Sequence, residues 1–333
     1  MASSDTGGPE ATLDGGSSRR EFLAAAGAAG LVGLAGCGGG DGGDGGDTTT
    51  PADGGDGTGD GDGGDTTTAD GDDGTTTSGG PSDLGTATVG ILNPISGAYS
   101  SLGPGQRNGA KLAVSQINGS DEFDVELDPV YEDTTTEAGA ATQAANRVVQ
   151  QDGAEFLFGA ISSSVALSLN EFAAAEQAVY FPGGAAVPVT GSACNEWVFR
   201  FETNTAQVAE AISAYTVNNL GSNVWFHIAD YAYGDSVYQR TKERMQAASD
   251  DFTEAGKTAS QLGSSNYGSY ISQISNSDAD AVILGMTGGD LINFTSQAAD
   301  AGLKEQVNLV GPTMSFQVVR GALGNKAAGT YGG

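Results

Sequence analysis

One histidine, two cysteines and thirteen lysines plus arginines in 333 residues exclude several function classes. With His227 alone and no CxxC spacing, no Cys/His metal cluster can be assembled. A hydrolase triad would need a serine or cysteine matched to His227, but no spacing supplies one. The histidine lies instead inside an apolar strand-like run, Asn223–Ile228. Bases are outnumbered by 42 acids, for a net charge of −29. A nucleic-acid surface is built on clustered Lys and Arg, so that class is excluded too. The same charge argues against peripheral attachment to anionic lipid. Long apolar runs are also missing. Phe22–Ala35 is mostly Ala and Gly, and it is shorter than the roughly 20 residues that a permanent membrane helix needs.

The acids are unevenly spread. Twelve Asp fall in 38–83 with no Lys or Arg, and residues 1–37 hold four acids and two bases. That leaves 26 acids against 11 bases for 84–333, only five of them Lys. Such a surface repels itself at ordinary ionic strength. In about 1 M salt the Debye length falls to ~3 Å and the repulsion is screened. Residues 38–83 contain 18 Gly and 10 Thr, no aromatic residue, and only Ala52 and Ala69 as apolar side chains. Nothing there offsets the entropy of ordering a chain, so 37–84 reads as a disordered tether. Asp60-Gly61-Asp62-Gly63-Gly64-Asp65 faintly resembles a calcium loop but lacks the closing glutamate, and no metal is expected.

Ser18-Arg19-Arg20-Glu21-Phe22-Leu23 precedes the short apolar stretch, and Leu34-Ala35-Gly36-Cys37 closes it. The first run resembles a twin-arginine export signal and the second a lipobox. Together they imply that residues 1–36 are removed and that Cys37 is lipidated. The remainder is then held on the outer face of the cell membrane. With the acid-rich, lysine-poor composition, the pair resembles exported lipoproteins of halophilic archaea. Cys194 is then read as a small buried side chain rather than a nucleophile.

From residue 86 short apolar runs alternate with helical patterns. Strands are expected at Ala87–Leu92, Phe123–Tyr131, Glu155–Gly159, Ala178–Phe181, Trp197–Phe201, Asn223–Ile228, Ala281–Met286 and Val307–Val310. Helices are expected through Leu112–Ile117 and over 137–151, Ser163–Ala175, 205–219, Ser236–Ala248, Gly268–Ser275 and Leu291–Ala301. Ala141, Ala144, Ala145 and Val148 show the helical i, i+3, i+4, i+7 spacing. Alternation of this kind predicts an α/β chain with parallel sheets flanked by helices. About 250 residues suit two lobes, taken as 85–203 and 204–333 with the break at Glu202–Ala206. Ligands of such folds bind beyond the carboxyl ends of strands. The loops of interest are therefore 93–104, 160–164, 182–195, 229–235, 286–290 and 311–315. Gly103 to Gly109 superficially suggests a dinucleotide fingerprint. It has one residue too many and follows its strand by ten residues, so no cofactor is expected.

Those loops carry a family pattern. Asn93-Pro94-Ile95-Ser96-Gly97 with Leu102-Gly103, Val130-Tyr131-Glu132-Asp133, Gly159 to Ser164, Pro182-Gly183-Gly184, Val198-Phe199-Arg200 and Asp230-Tyr231-Ala232-Tyr233-Gly234 resemble solute-binding proteins of ABC importers for branched-chain amino acids, amides and urea. The resemblance implies the two-lobed type I periplasmic-binding fold, a non-enzymatic role, and ABC permease subunits as partners. It places a ligand carboxylate on Ser162 and Ser163 with Gly183, Gly184 and Ala185 opposite, and Tyr233 as the closing side chain. It also departs from the family. Ala185 stands where a hydroxyl residue is usual, and Thr313 follows Gly311-Pro312 where the amino-acid binders have a glutamate for the ammonium. Thr287 and Asp290 lie in a loop that often brings a tyrosine and an acid. Either Asp230 or Asp290 then meets an ammonium, or the ligand is an amide, urea or carboxylate. Resembling chains continue beyond a segment like Ala327–Gly333. The first lobe is accordingly expected to lack a C-terminal return segment, and its sheet to expose apolar surface. Rival readings are a ligand-sensing lipoprotein of the same fold and a non-functional truncated product.

Overall fold

The computed structural model describes residues 85–333; Arg19, Arg20, Cys37 and the tether lie outside the described residues. Two four-stranded, all-parallel sheets organise the chain. The first has the order β2-β1-β3-β4, from β1 (Thr86–Asn93), β2 (Glu126–Asp133), β3 (Phe156–Gly159) and β4 (Val179–Pro182). The second has the order β6-β5-β7-β8, from β5 (Asn223–Ala229), β6 (Thr253–Ser260), β7 (Ala281–Gly285) and β8 (Asn308–Val310). Helices alternate with the strands: α1 (Gly103–Asn118), α2 (Ala138–Gln150), α3 (Ser163–Glu176), α4 (Thr205–Tyr215), α5 (Ala232–Ala248), α6 (Gly268–Ser275), α7 (Gly288–Asp300) and α8 (Gln317–Leu323). No described helix is long and apolar enough to cross a membrane.

Local chemistry sets several boundaries. Ala141, Ala144 and Ala145 of α2 are fully buried with Val148, packed with Leu92, Leu157 and Leu169. At α4, Asn204 Oδ1 accepts from the N–H groups of Ala206 and Gln207, and Gln207 Oε1 accepts from Asn204 N at 2.9 Å. This reciprocal cap satisfies donors that the helix start would otherwise leave open. All five residues of β7 are buried, as an unbroken apolar strand covered on both faces should be.

Several expectations need correction. β2 begins three residues later than read from the sequence, because the Asn118 amide grips Leu127. Its Nδ2 donates to Leu127 O and its Oδ1 accepts from Leu127 N, both at 2.8 Å. Trp197–Phe201 is not a strand. Two bonds join it to Tyr180, from Tyr180 N to Trp197 O and from Phe199 N to Tyr180 O, and pairing stops at a single bridge. Beyond it Arg200 turns to carbonyls of another loop. β6 was not anticipated, because its sequence TEAGKTAS is polar and its only apolar side chains are alanines. It is an edge strand held by β5. Helix α8 was also missed, and α5 and α7 begin earlier than their apolar residues suggest. Cys194 is half-buried rather than buried.

The lobes differ in cover. In the second, one face of the sheet packs on α6, α7 and α8 and the other on α4 and α5. In the first, α2 and α3 cover one face. The opposite face carries Phe158, Phe181 and Phe201 in a stack, with ring centroids 4.6 and 5.1 Å apart. Phe201 is 77% exposed and Phe199 48%. The expected apolar exposure on the first lobe is therefore present. Each lobe holds one tryptophan against its core, Trp197 in the first and Trp225 in the second.

Candidate functional site

The carboxyl ends of both sheets face one cleft. Leu102, Ile161, Gly183, Ala185, Tyr231, Tyr233, Thr287, Pro312 and Thr313 line it, so all six loops singled out from the sequence contribute. The cavity measures about 310 Å³. Helix α1 starts beside Leu102, α3 after Ile161 and Ser162, α5 after Tyr231, and α7 after Thr287. Four helix N-termini thus converge on one space. At α1 the first N–H groups are already bonded, Gly103 N to Tyr99 O and Gly105 N to Leu102 O, so the open N–H groups that together with the positive dipole ends favour an anion belong to α3, α5 and α7. Two of them meet across the cleft, where Ala232 N at the start of α5 donates to Ser164 Oγ in the first turn of α3, at 3.4 Å.

Ser162 is the N-cap of α3. Its hydroxyl is buried and has no hydrogen-bond partner among the described residues. A buried polar atom left unsatisfied costs about 1–3 kcal/mol, so a ligand group at this point would relieve a real penalty. Ser163 Oγ accepts from Ala186 N at 3.1 Å and so ties the 183–187 loop to the helix start. Glycine is required in that loop: a Cβ on Gly184 would lie 2.6 Å from Ala166 Cβ and 3.1 Å from Ser163 Cα. Arg200 braces the same loop, donating to Gly184 O, Ala186 O and Thr190 Oγ1. At Gly159, φ is +114° and a Cβ would lie 2.1 Å from Leu92 O, so only glycine lets β3 end against β1.

The second lobe supplies aromatic and hydroxyl groups. Tyr233 is buried and its phenol is pushed above its ordinary pKa by desolvation. Tyr231 stacks on it at 6.1 Å and hydrogen-bonds through its hydroxyl to that of Tyr99 in the first lobe. Thr313 Oγ1 donates to Thr287 Oγ1 at 2.8 Å, both buried. The first-lobe loop also approaches the second lobe at Gly263 and Gly288: a Cβ on Gly263 would lie 3.4 Å from Ala98 Cβ, and one on Gly288 3.2 Å from Leu102 Cδ1.

Among the residues named from the sequence, the structure brings Gly183, Ala185, Tyr233, Thr287 and Thr313 onto the cleft wall. Ser162, Ser163 and Gly184 sit directly behind it, through Ile161 and Gly183. The two aspartates do not join them. Asp230 is exposed, and its N–H donates to Ser260 O. Asp290 is buried and accepts from Gly263 N at 3.1 Å; burial raises its pKa, while the Gly263 N–H and the nearby Tyr267 hydroxyl act to lower it. Sequence reasoning missed Tyr99, Tyr231, Glu202 and Gln207. Tyr231 was legible as the other aromatic of Tyr231-Ala232-Tyr233. Glu202 was not, because it falls just past the end of an expected strand. Among the described residues no group of three His, Cys, Asp or Glu is placed to hold a metal.

A parallel α/β pair of lobes with helix starts converging on an intervening cleft defines a class of hinged solute-binding proteins. The pattern of the periplasmic binding protein family matches residues 86–333, and the chain belongs to that family. A Leu/Ile/Val-binding protein homolog of Brucella melitensis is 24% identical over 73% of this chain and 66% of its own length. The chain thus spans slightly less than two thirds of that relative. A crystal structure of a periplasmic binding protein from Burkholderia mallei superposes with a TM-score of 0.61 at 26% identity, covering 68% of this chain and 60% of that one. A solute-binding protein of an ABC transporter from R. palustris, solved with benzoate, superposes with a TM-score of 0.65 at 22% identity over 72% of this chain and 66% of that one.

Proposed function

We propose that the chain captures a small carboxylate-bearing solute, a branched-chain amino acid or a relative of one, between its lobes and delivers it to an ABC permease. The observation that carries this reading is the convergence of four helix N-termini on a largely apolar cleft beside the unpartnered Ser162 hydroxyl. A carboxylate placed there meets free N–H groups, and the aliphatic part meets Leu102, Val208 and Ala211. Export through Arg19 and Arg20 and anchoring through lipidated Cys37 fit this role, since a tethered receptor-type sensor would need a spanning helix to signal. The lobes are taken as 85–203 and 204–333, closing by hinge motion.

A second reading is favoured by the stacked Tyr231 and Tyr233 and by Thr313 after Gly311-Pro312: an aromatic acid, as in the benzoate-bound neighbour. The test is calorimetric titration of the full-length chain in molar salt with L-leucine and benzoate. Ser162→Ala and Tyr233→Ala should each weaken the bound acid ~10- to 150-fold without unfolding the protein. Unchanged affinity in both variants moves the site elsewhere. Separately, Cys37→Ser should release the protein into the medium; its retention in the membrane fraction refutes the anchor.

A further inference from the structure

Glu202 lies on the connection between the lobes, ahead of α4. It lines the main cleft and also a neighbouring cavity of about 410 Å³ beneath α1, bounded by Asn93, Gln106 and Phe181. Among the described residues no Lys, Arg or His lines either space. Among the described residues Glu202 is the only acidic or basic side chain on either wall apart from the two tyrosines, and it makes no hydrogen bond or ion pair with another described residue. The nearest cation in sequence, Arg200, is fully committed to two carbonyls and Thr190.

A solvated surface acid is the ordinary explanation for a glutamate in so acidic a chain. Glu202 departs from it in position: it stands on the walls of both the cleft and the neighbouring cavity, where no other charged side chain among the described residues meets it. The residue is exposed, yet the atoms packed around its carboxyl also raise it from its ordinary value by desolvation. Only one other described carboxyl is raised, Asp290, and that one accepts from Gly263 N. Glu202 is thus a partly desolvated carboxylate with an open coordination sphere, facing the space where the solute is proposed to sit. Such a group disfavours a second anion beside it and favours a cation or a strong donor.

We infer that Glu202 is the specificity-determining partner of a cationic group on the ligand, so that the cleft selects a zwitterion, with its carboxylate at the start of α3 and its ammonium at Glu202. This rests on the solute-capture reading above and narrows it: a simple carboxylate would leave Glu202 unpaired. The chemistry asks for an ammonium or a related N–H donor on the carbon skeleton that carries the acid.

The experiment compares L-leucine with 4-methylpentanoate, which keeps its skeleton and carboxylate and lacks only the ammonium. Both are titrated into the full-length chain and into Glu202→Gln, with thermal unfolding showing that the variant folds. L-leucine is expected to bind wild type at least ~10-fold more tightly than 4-methylpentanoate, and Glu202→Gln to lose most of that preference by weakening leucine alone. Equal affinities in wild type, or leucine binding unchanged by Glu202→Gln, overturns the assignment while leaving solute capture standing. Failure of leucine, 4-methylpentanoate and benzoate alike to bind wild type overturns the capture reading, and this inference with it.

Discussion

β1–β4 and β5–β8 follow the same parallel order, yet β7 is buried along its whole length whereas β3 is buried only at alternate residues. The strand sequences do not announce this difference. Phe156-Leu157-Phe158 and Val179-Tyr180-Phe181 are as apolar on both faces as Ala281-Val282-Ile283, the signature of strands meant for cover on both sides. What differs is the supply of helices. The second sheet has α4 and α5 on one face and α6, α7 and α8 on the other. On the first, α1 flanks β1 and β2 and buries only Gly103, while Leu112 on the same helix is 60% exposed. Strand composition therefore reports the face a strand can bury, and the helices decide which face it does bury.

Phenylalanines test this contrast most strongly. Phe226, fully buried in the second sheet, should cost about 3–5 kcal/mol when changed to Ala. Phe201→Ala on the bare face of the first should cost under ~1 kcal/mol and reduce self-association. Denaturant midpoints and sedimentation in molar salt read both, and equal costs would erase the distinction between the sheets.

A second difference is chemical. His227, in β5, bonds to Thr258 Oγ1 at 2.8 Å through Nδ1, stacks on Phe294, and is lowered to about 4 by burial. It is neutral when folded and gains its proton near 6.5 when unfolded. Its contribution is fully present above that pH and is lost as pH falls from 6.5 toward 4, by at most about 3 kcal/mol. Urea titrations of wild type and His227→Phe across this window should differ in slope. Parallel curves would show that the ring is solvated after all.

Asn118→Ala removes the grip on Leu127 and should loosen the start of β2 by about 1–2 kcal/mol. Faster amide exchange is expected at Leu127, with the second sheet untouched. Asn118-Gly119-Ser120 also fits the Asn-X-Ser acceptor pattern for an N-linked sugar, and a sugar on Asn118 would spoil the same grip. The smallest effect belongs to Tyr231→Phe. It deletes the hydroxyl contact with Tyr99 across the cleft and should weaken ligand affinity only ~2- to 10-fold, chiefly through faster release. A loss as large as that of Tyr233→Ala would make Tyr231 a ligand contact rather than a latch between lobes.

Much of this was legible in the chain. The alternation of elements and the helical spacing of Ala141 to Val148 point to parallel sheets, and the six loops at strand ends do line the cleft. What escaped has physical causes. β6 binds through its backbone as an edge strand and needs few apolar side chains, so TEAGKTAS carries no periodic signal. The end of Trp197–Phe201 is set by Arg200 reaching carbonyls 14 and 16 residues away in sequence, which no local pattern encodes. Asp230 and Asp290 were candidates by chemistry alone. Only the turn after β5, and the Gly263 N–H that engages Asp290, keep them off the cleft wall.

The division of the two tryptophans between the lobes makes the molecule its own optical instrument. Trp197 lies against the core of the first lobe, and Trp225, held by Thr258 Oγ1 at 3.2 Å, against that of the second. Replacing either with Phe leaves a single indole whose emission reports on one lobe alone. The melting of each half, and any quenching as the halves draw together, can then be followed without attaching a dye.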